Sequence, residues 1–83
     1  MDVLELTVPE TVFADGPIFV AEILTAEGDR VEAGQVVLEI ETGRLLVEVH
    51  SPETGRVASV LVREGQQVRP GQVLLRLQPQ QET

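Results

Sequence analysis

A chain of 83 residues with a formal charge of −8 has room for one small core, and its acidity argues against nucleic acid or an anionic membrane as a partner. It has no cysteine, which excludes disulfide and thiolate chemistry. The opening MDVLELTVPE lacks the basic segment and apolar stretch of a signal peptide, and no apolar run nears a bilayer span, so a cytoplasmic, monomeric domain is expected.

In chain order, strands are predicted at 3–8, 17–25, 30–32 and 35–41, then at 45–50, 56–63, 67–69 and 72–78. Val, Leu and Ile must fill the core, because Phe13 and Phe19 are the only aromatic residues and β-branched residues favour strands. Alternation is clearest in VVLEIE, which places Val36, Leu38 and Ile40 on one face and Val37, Glu39 and Glu41 on the other. In the next strand Leu45, Val47 and Val49 are expected inward, with Leu46, Glu48 and His50 outward. Arg69-Pro70-Gly71-Gln72 and its counterpart Glu32-Ala33-Gly34-Gln35 carry the signature of type II turns, with glycine supplying the positive φ. Glu27-Gly28 and Glu64-Gly65 mark a further pair of turns. No stretch has the stripe of an amphipathic helix. The polar end, QPQQET, is expected to be a tail or linker start from residue 79.

These elements form two copies of one unit. Residues 20–40 match 57–77 at an offset of 37, with ten identities in 21 positions, and 3–11 match 46–54 at an offset of 43. The change of offset assigns six extra residues, Val12 to Pro17, to the first loop. Two four-stranded copies, neither able to bury its apolar face alone, are expected to pack face to face. The predicted fold is all-β: a flattened eight-stranded barrel or sandwich of two quasi-symmetric units. The hairpin that joins the copies, IETGRLLVEV (40–49), then lies opposite the termini. Glycine at the first central position is the type II′ signal, so Gly43 and Arg44 are placed at its crest.

Other chemistry is thinly supported. His50 is the only histidine, and a metal site needs several convergent ligands. There is no nucleophile–base arrangement and no phosphate-cradling loop. Eleven of the acidic residues precede residue 50, a skew compatible with a basic partner surface. All six basic side chains are arginines (Arg30, Arg44, Arg56, Arg63, Arg69 and Arg76) and lysine is absent, which a coding bias or deliberate removal of lysine would both produce.

VPETVFADGPIFVAEIL, EGDRVEAGQVVLEIET, VEVHSPETGRV and EGQQVRPGQVLLRL together resemble the lipoyl domains of 2-oxo acid dehydrogenase acyltransferases and, more broadly, the biotinyl/lipoyl carrier superfamily. The resemblance runs from about Leu6 to Leu77. It implies a barrel-sandwich hybrid whose hairpin lysine carries lipoate or biotin, and a protein partner among the 2-oxo acid dehydrogenase components. Lipoyl tips read Glu-Thr-Asp-Lys; here Glu41 and Thr42 fit, Gly43 replaces the aspartate, and Arg44 replaces the lysine. No methionine flanks Arg44, so the biotinyl tip, Met-Lys-Met, fits poorly. A guanidinium stays protonated and has no free lone pair with which to attack an acyl-adenylate, so no cofactor is expected on this chain.

The resemblance also implies a recognition surface of Glu10, Phe13 and Asp15 in the first loop, with Glu41, Thr42 and Glu48; the plainer account has Phe13 plugging the barrel edge and the acids solvated. The leading expectation is a non-catalytic, lysine-less lipoyl-like domain that serves as a structural or protein-interaction module. The alternative is a swinging-arm carrier whose lysine was changed to arginine. A transport-adaptor piece is disfavoured, because the two copies are contiguous.

Overall fold

In the computed structural model, which describes residues 3–10 and 16–80, the chain forms eight strands and, among the described residues, no helix. They are β1 (Leu4–Thr7), β2 (Ile18–Ile23), β3 (Arg30–Val31), β4 (Val36–Glu41), β5 (Leu46–His50), β6 (Gly55–Val60), β7 (Gln67–Val68) and β8 (Val73–Pro79). Every predicted strand is present, and the all-β fold is as expected. The last strand runs one residue further than predicted, because Pro79 pairs with Gly55 and the Gln80 N–H donates to the Thr54 carbonyl at 2.9 Å.

The strands form two antiparallel four-stranded sheets, ordered β1-β8-β6-β3 and β5-β4-β2-β7. Exchanging the copies, β1–β4 for β5–β8, turns one order into the other. The copies therefore do not pack face to face as separate sheets, which corrects the expectation. Each sheet has a central pair from one copy and edge strands from the other. The bulges obey the same symmetry: one at Val20/Glu22 in β2 has its counterpart at Val57/Ser59 in β6.

The four glycine turns explain why the copies interlock. In each, the fourth residue's N–H donates to the first residue's carbonyl at 3.0 Å (29 to 26, 35 to 32, 66 to 63, 72 to 69). The glycine at the third position has φ between 83° and 91°, the left-handed value that a type II turn requires. The fourth side chain, Asp29, Gln35, Gln66 or Gln72, closes the turn by accepting the first residue's N–H at 2.8–3.0 Å.

Each turn then clasps the opposite copy. Gly28 and Asp29 bind both backbone groups of Val57, Gly65 and Gln66 those of Val20, Gly34 and Gln35 those of Ser51, and Gly71 and Gln72 those of Val8. Eight backbone groups that would otherwise be orphaned are paired in this way, and an unmade buried hydrogen bond costs about 1–3 kcal/mol.

The core lies between the sheets and repeats with the chain. Val20, Val31, Val37, Leu38 and Ile40 are buried, and so are their counterparts Val57, Val68, Leu74, Leu75 and Leu77. Burying each such side chain contributes about 1.5–3 kcal/mol. Ser51, the counterpart of Val8, is buried too, and its hydroxyl donates to the Glu53 carbonyl at 2.6 Å.

Val37 departs from the predicted alternation: it is as buried as Leu38, its neighbour. The register of β4 on β5 slips between Val36 and Leu38, and such a bulge puts successive residues out of phase with the pleat. Leu45 also departs, being 61% exposed. It lies before the first residue of β5, where no facing strand covers it.

Candidate functional site

The hairpin between β4 and β5 projects beyond the core. Its arms pair as Ile40↔Val47 and Glu41↔Leu46, and the Thr42 N–H donates to the Leu45 carbonyl at 2.9 Å. Gly43 and Arg44 therefore stand at the crest, as predicted, and both are exposed. The turn itself is of another kind. Gly43 is not among the glycines with positive φ, so the type II′ form, which needs one there, is absent. The Thr42 hydroxyl shapes the crest instead, accepting the N–H groups of Arg44 at 3.3 Å and Leu45 at 3.1 Å. A β-carbon added at Gly43 would meet nothing within 4 Å, so the position accepts other side chains.

Among the described residues Arg44 forms no ion pair with Glu41 or Glu48; Glu48 instead contacts His50 at 3.5 Å. Leu45 and Leu46, which follow Arg44, are 61% and 59% exposed. The crest thus offers one free guanidinium and two bare leucines. The sequence reading missed Leu45 by extending the inward phase of β5 one residue too far.

The other predicted site residues are dispersed around this pole. Phe19 pairs with both Glu41 and Gln67, which sets the hairpin root close to the 69–72 turn. Glu10 lies over that turn, so near Gly71 that a β-carbon there would come within 3.2 Å of its Oε1. Glu48 faces outward along β5, two residues from Leu46. Phe13 and Asp15 lie outside the described residues. Among the described residues no group of three acidic, histidine or cysteine side chains is placed to hold a metal.

A lysine-bound cofactor does not fit this crest. The exposed side chain at its apex is a guanidinium, and the sequence holds no amine-bearing side chain that a shifted register could bring there.

Two interlocked β-units with a hairpin projecting from the pole opposite the paired ends of β1 and β8 define a carrier-type domain. The model of the biotinyl/lipoyl family described as "Biotin-requiring enzyme" matches residues 5–77. The chain belongs to this family.

Solved structures with the same fold include parts of two carboxylases and a lipoyl domain. A single-chain, multi-domain long-chain acyl-CoA carboxylase superposes with a TM-score of 0.78 at 25% identity, over 96% of this chain and 7% of its own. The urea carboxylase of Kluyveromyces lactis gives 0.75 at 25% identity, over 93% of this chain and 6% of that one. The lipoyl domain of the 2-oxoglutarate dehydrogenase complex from Azotobacter vinelandii gives 0.72 at 24% identity, over 88% of this chain and 95% of that domain. The chain thus spans a small fraction of the two carboxylases and nearly the whole of the isolated lipoyl domain. No curated protein matches.

Proposed function

We propose that this is a lipoyl-like domain without an attachment site, acting as a non-catalytic structural or interaction module within or beside a 2-oxo acid dehydrogenase assembly. The observation that carries the reading is the crest. Where the family presents a lysine, Arg44 stands free and exposed between Gly43 and two solvent-facing leucines. Arginine keeps the charge of lysine and loses its acylation chemistry. Leu45 and Leu46 add what a docking tip needs, since covering an exposed leucine contributes about 1.5–3 kcal/mol. The Glu41-Thr42 pair and the absence of methionine favour the lipoyl branch over the biotinyl one.

The test is to make Arg44→Lys, alone and with Gly43→Asp, and to co-express each with a lipoate ligase and, separately, a biotin ligase. A β-carbon at Gly43 meets nothing within 4 Å and Arg44 is exposed, so both variants are expected to fold, and intact mass is the readout. The wild-type chain is expected to gain nothing with either ligase; a lipoyl or biotinyl increment on it would overturn the proposal. A lipoyl increment on Arg44→Lys alone would identify a carrier scaffold that lost one residue and favour the swinging-arm alternative. No increment on the double variant would mean that the surface read by the ligase has diverged as well. Docking is tested by Leu45→Ser/Leu46→Ser, which should release a bound dehydrogenase component without changing the melting temperature.

A further inference from the structure

The pole opposite the hairpin holds a second feature, independent of the crest. Arg30 of β3 and Arg56 of β6 are directly opposed across a two-residue antiparallel pair, and both are exposed on the outer face. Like charges in such a pair repel. Arg56 is pinned by donating from Nη1 to the Gly28 carbonyl at 3.1 Å. Arg30 has a carboxylate partner in Glu32, at 3.2 Å. Among the described residues, then, Arg30 has a carboxylate partner and Arg56 only a backbone carbonyl, in a chain whose overall charge is −8.

Beside the pair lies a hollow of about 310 Å³ lined by Arg30, Gly55, Arg56, Gln78, Pro79 and Gln80. Gly55 lies so tightly on β8 that a β-carbon there would strike the Gln78 carbonyl oxygen. Gln78 and Gln80 complete the lining. The internal repeat provides a built-in comparison. The residues equivalent to Arg30, Arg56 and Gln78 on the other sheet are Gln67, Phe19 and Glu41, which have no cationic group. The paired arginines therefore do not follow from the fold's needs.

We propose that this hollow is a carboxylate-binding subsite, in which the forks of Arg30 and Arg56 grip an acidic group while the Gln78 and Gln80 amides donate to its second oxygen. Guanidinium–carboxylate contacts are charge-assisted and readily bidentate, and a bound anion relieves the repulsion within the pair. The carboxylate has two conceivable sources, a free dicarboxylate or an acidic segment of a polypeptide, and both present the same chemistry.

The test is a titration of the 15N-labelled domain with succinate in one arm and a blocked Glu-Glu dipeptide in the other, with sodium chloride at matched ionic strength as control. Saturable shifts are expected at Arg30, Gly55, Arg56 and Gln80, including the arginine side-chain N–H signals. Binding should weaken by at least about tenfold in Arg30→Gln/Arg56→Gln, with Arg69→Gln, on the hairpin pole, unaffected. Melting curves would confirm that each variant folds. Saturation by the dipeptide alone would assign the site to a polypeptide, and saturation by succinate alone to a small acid. Shifts that chloride reproduces, that do not saturate, or that persist in the double variant would overturn the proposal.

Discussion

Replacing Glu39 with arginine should make the domain more stable, although it inserts a long cation into a surface strand. On the outer face of the β5-β4-β2-β7 sheet, Glu22, Glu39 and Glu48 are directly opposed across three neighbouring strands. The equivalent row on the other sheet reads Ser59, Arg76, Glu5, and there Arg76 Nε bonds Glu5 at 3.3 Å. Glu39→Arg copies that arrangement. It removes two like-charge pairs and creates two opposite-charge pairs, each pair being worth roughly 0.2–1 kcal/mol. Discounted for the exposure of both flanking glutamates, the net gain should be about 1 kcal/mol. In a domain of this size that raises the melting temperature by about 4–8 °C. Calorimetry or urea unfolding measures it directly, with Glu39→Gln expected to give about half the gain. At about 1 M salt, where the screening length falls to about 3 Å, most of the advantage should vanish. A variant no more stable than the parent would refute the reasoning, as would a gain that survives high salt.

Glycine substitutions should separate close approach from turn geometry and from neither. Gly55→Ala should cost about 1–3 kcal/mol in urea unfolding, because its β-carbon would strike the Gln78 and Pro79 backbone. Gly43→Ala should stay within about 0.5 kcal/mol of the parent, as its surroundings are open. Gly34→Ala, at φ +89°, should cost about 1–2 kcal/mol through left-handed strain alone. Thr42→Val, which removes the hydroxyl that accepts the Arg44 and Leu45 N–H groups, should accelerate hydrogen exchange at those two amides while leaving the core amides unchanged. Leu38→Ala should destabilise by about 2–5 kcal/mol, since the side chain is wholly buried.

Most of the fold was legible because its signals are local. Four glycine turns and period-two alternation locate the strands, and the repeat confirms each through its counterpart. What escaped was long-range. An internal offset reveals that Val20 and Val57 are equivalent, but not that each is clasped by the other copy's turn, so the mixed sheets were invisible. The bulge that buries Val37 beside Leu38 belongs to a pairing and is not written in either strand alone. At the site, the crest was found with the wrong turn type, because Gly43 suggested a positive φ that the Thr42 hydroxyl makes unnecessary. Leu45 continues the inward phase of Val47 and Val49 in the sequence, but the strand that enforces that phase begins only at Leu46. The opposed arginines had no local signature either, since residues 30 and 56 meet only across a strand pair.

The reciprocal clasps have a further consequence for how the chain could be strung. Because the exchange of halves maps each sheet onto the other, the hairpin at 43–44 and the neighbouring ends of β1 and β8, paired through Leu4 and Leu77, occupy equivalent corners. Topologically the molecule is a closed ring of eight strands, opened at one of two matching points. A gene that joined the present ends with a short linker and opened the ring at Gly43 would encode the same body with its poles exchanged, Arg44 now leading the chain. Either half alone, by contrast, would hold turns with nothing to clasp, so opening the ring once is tolerable and dividing it is not.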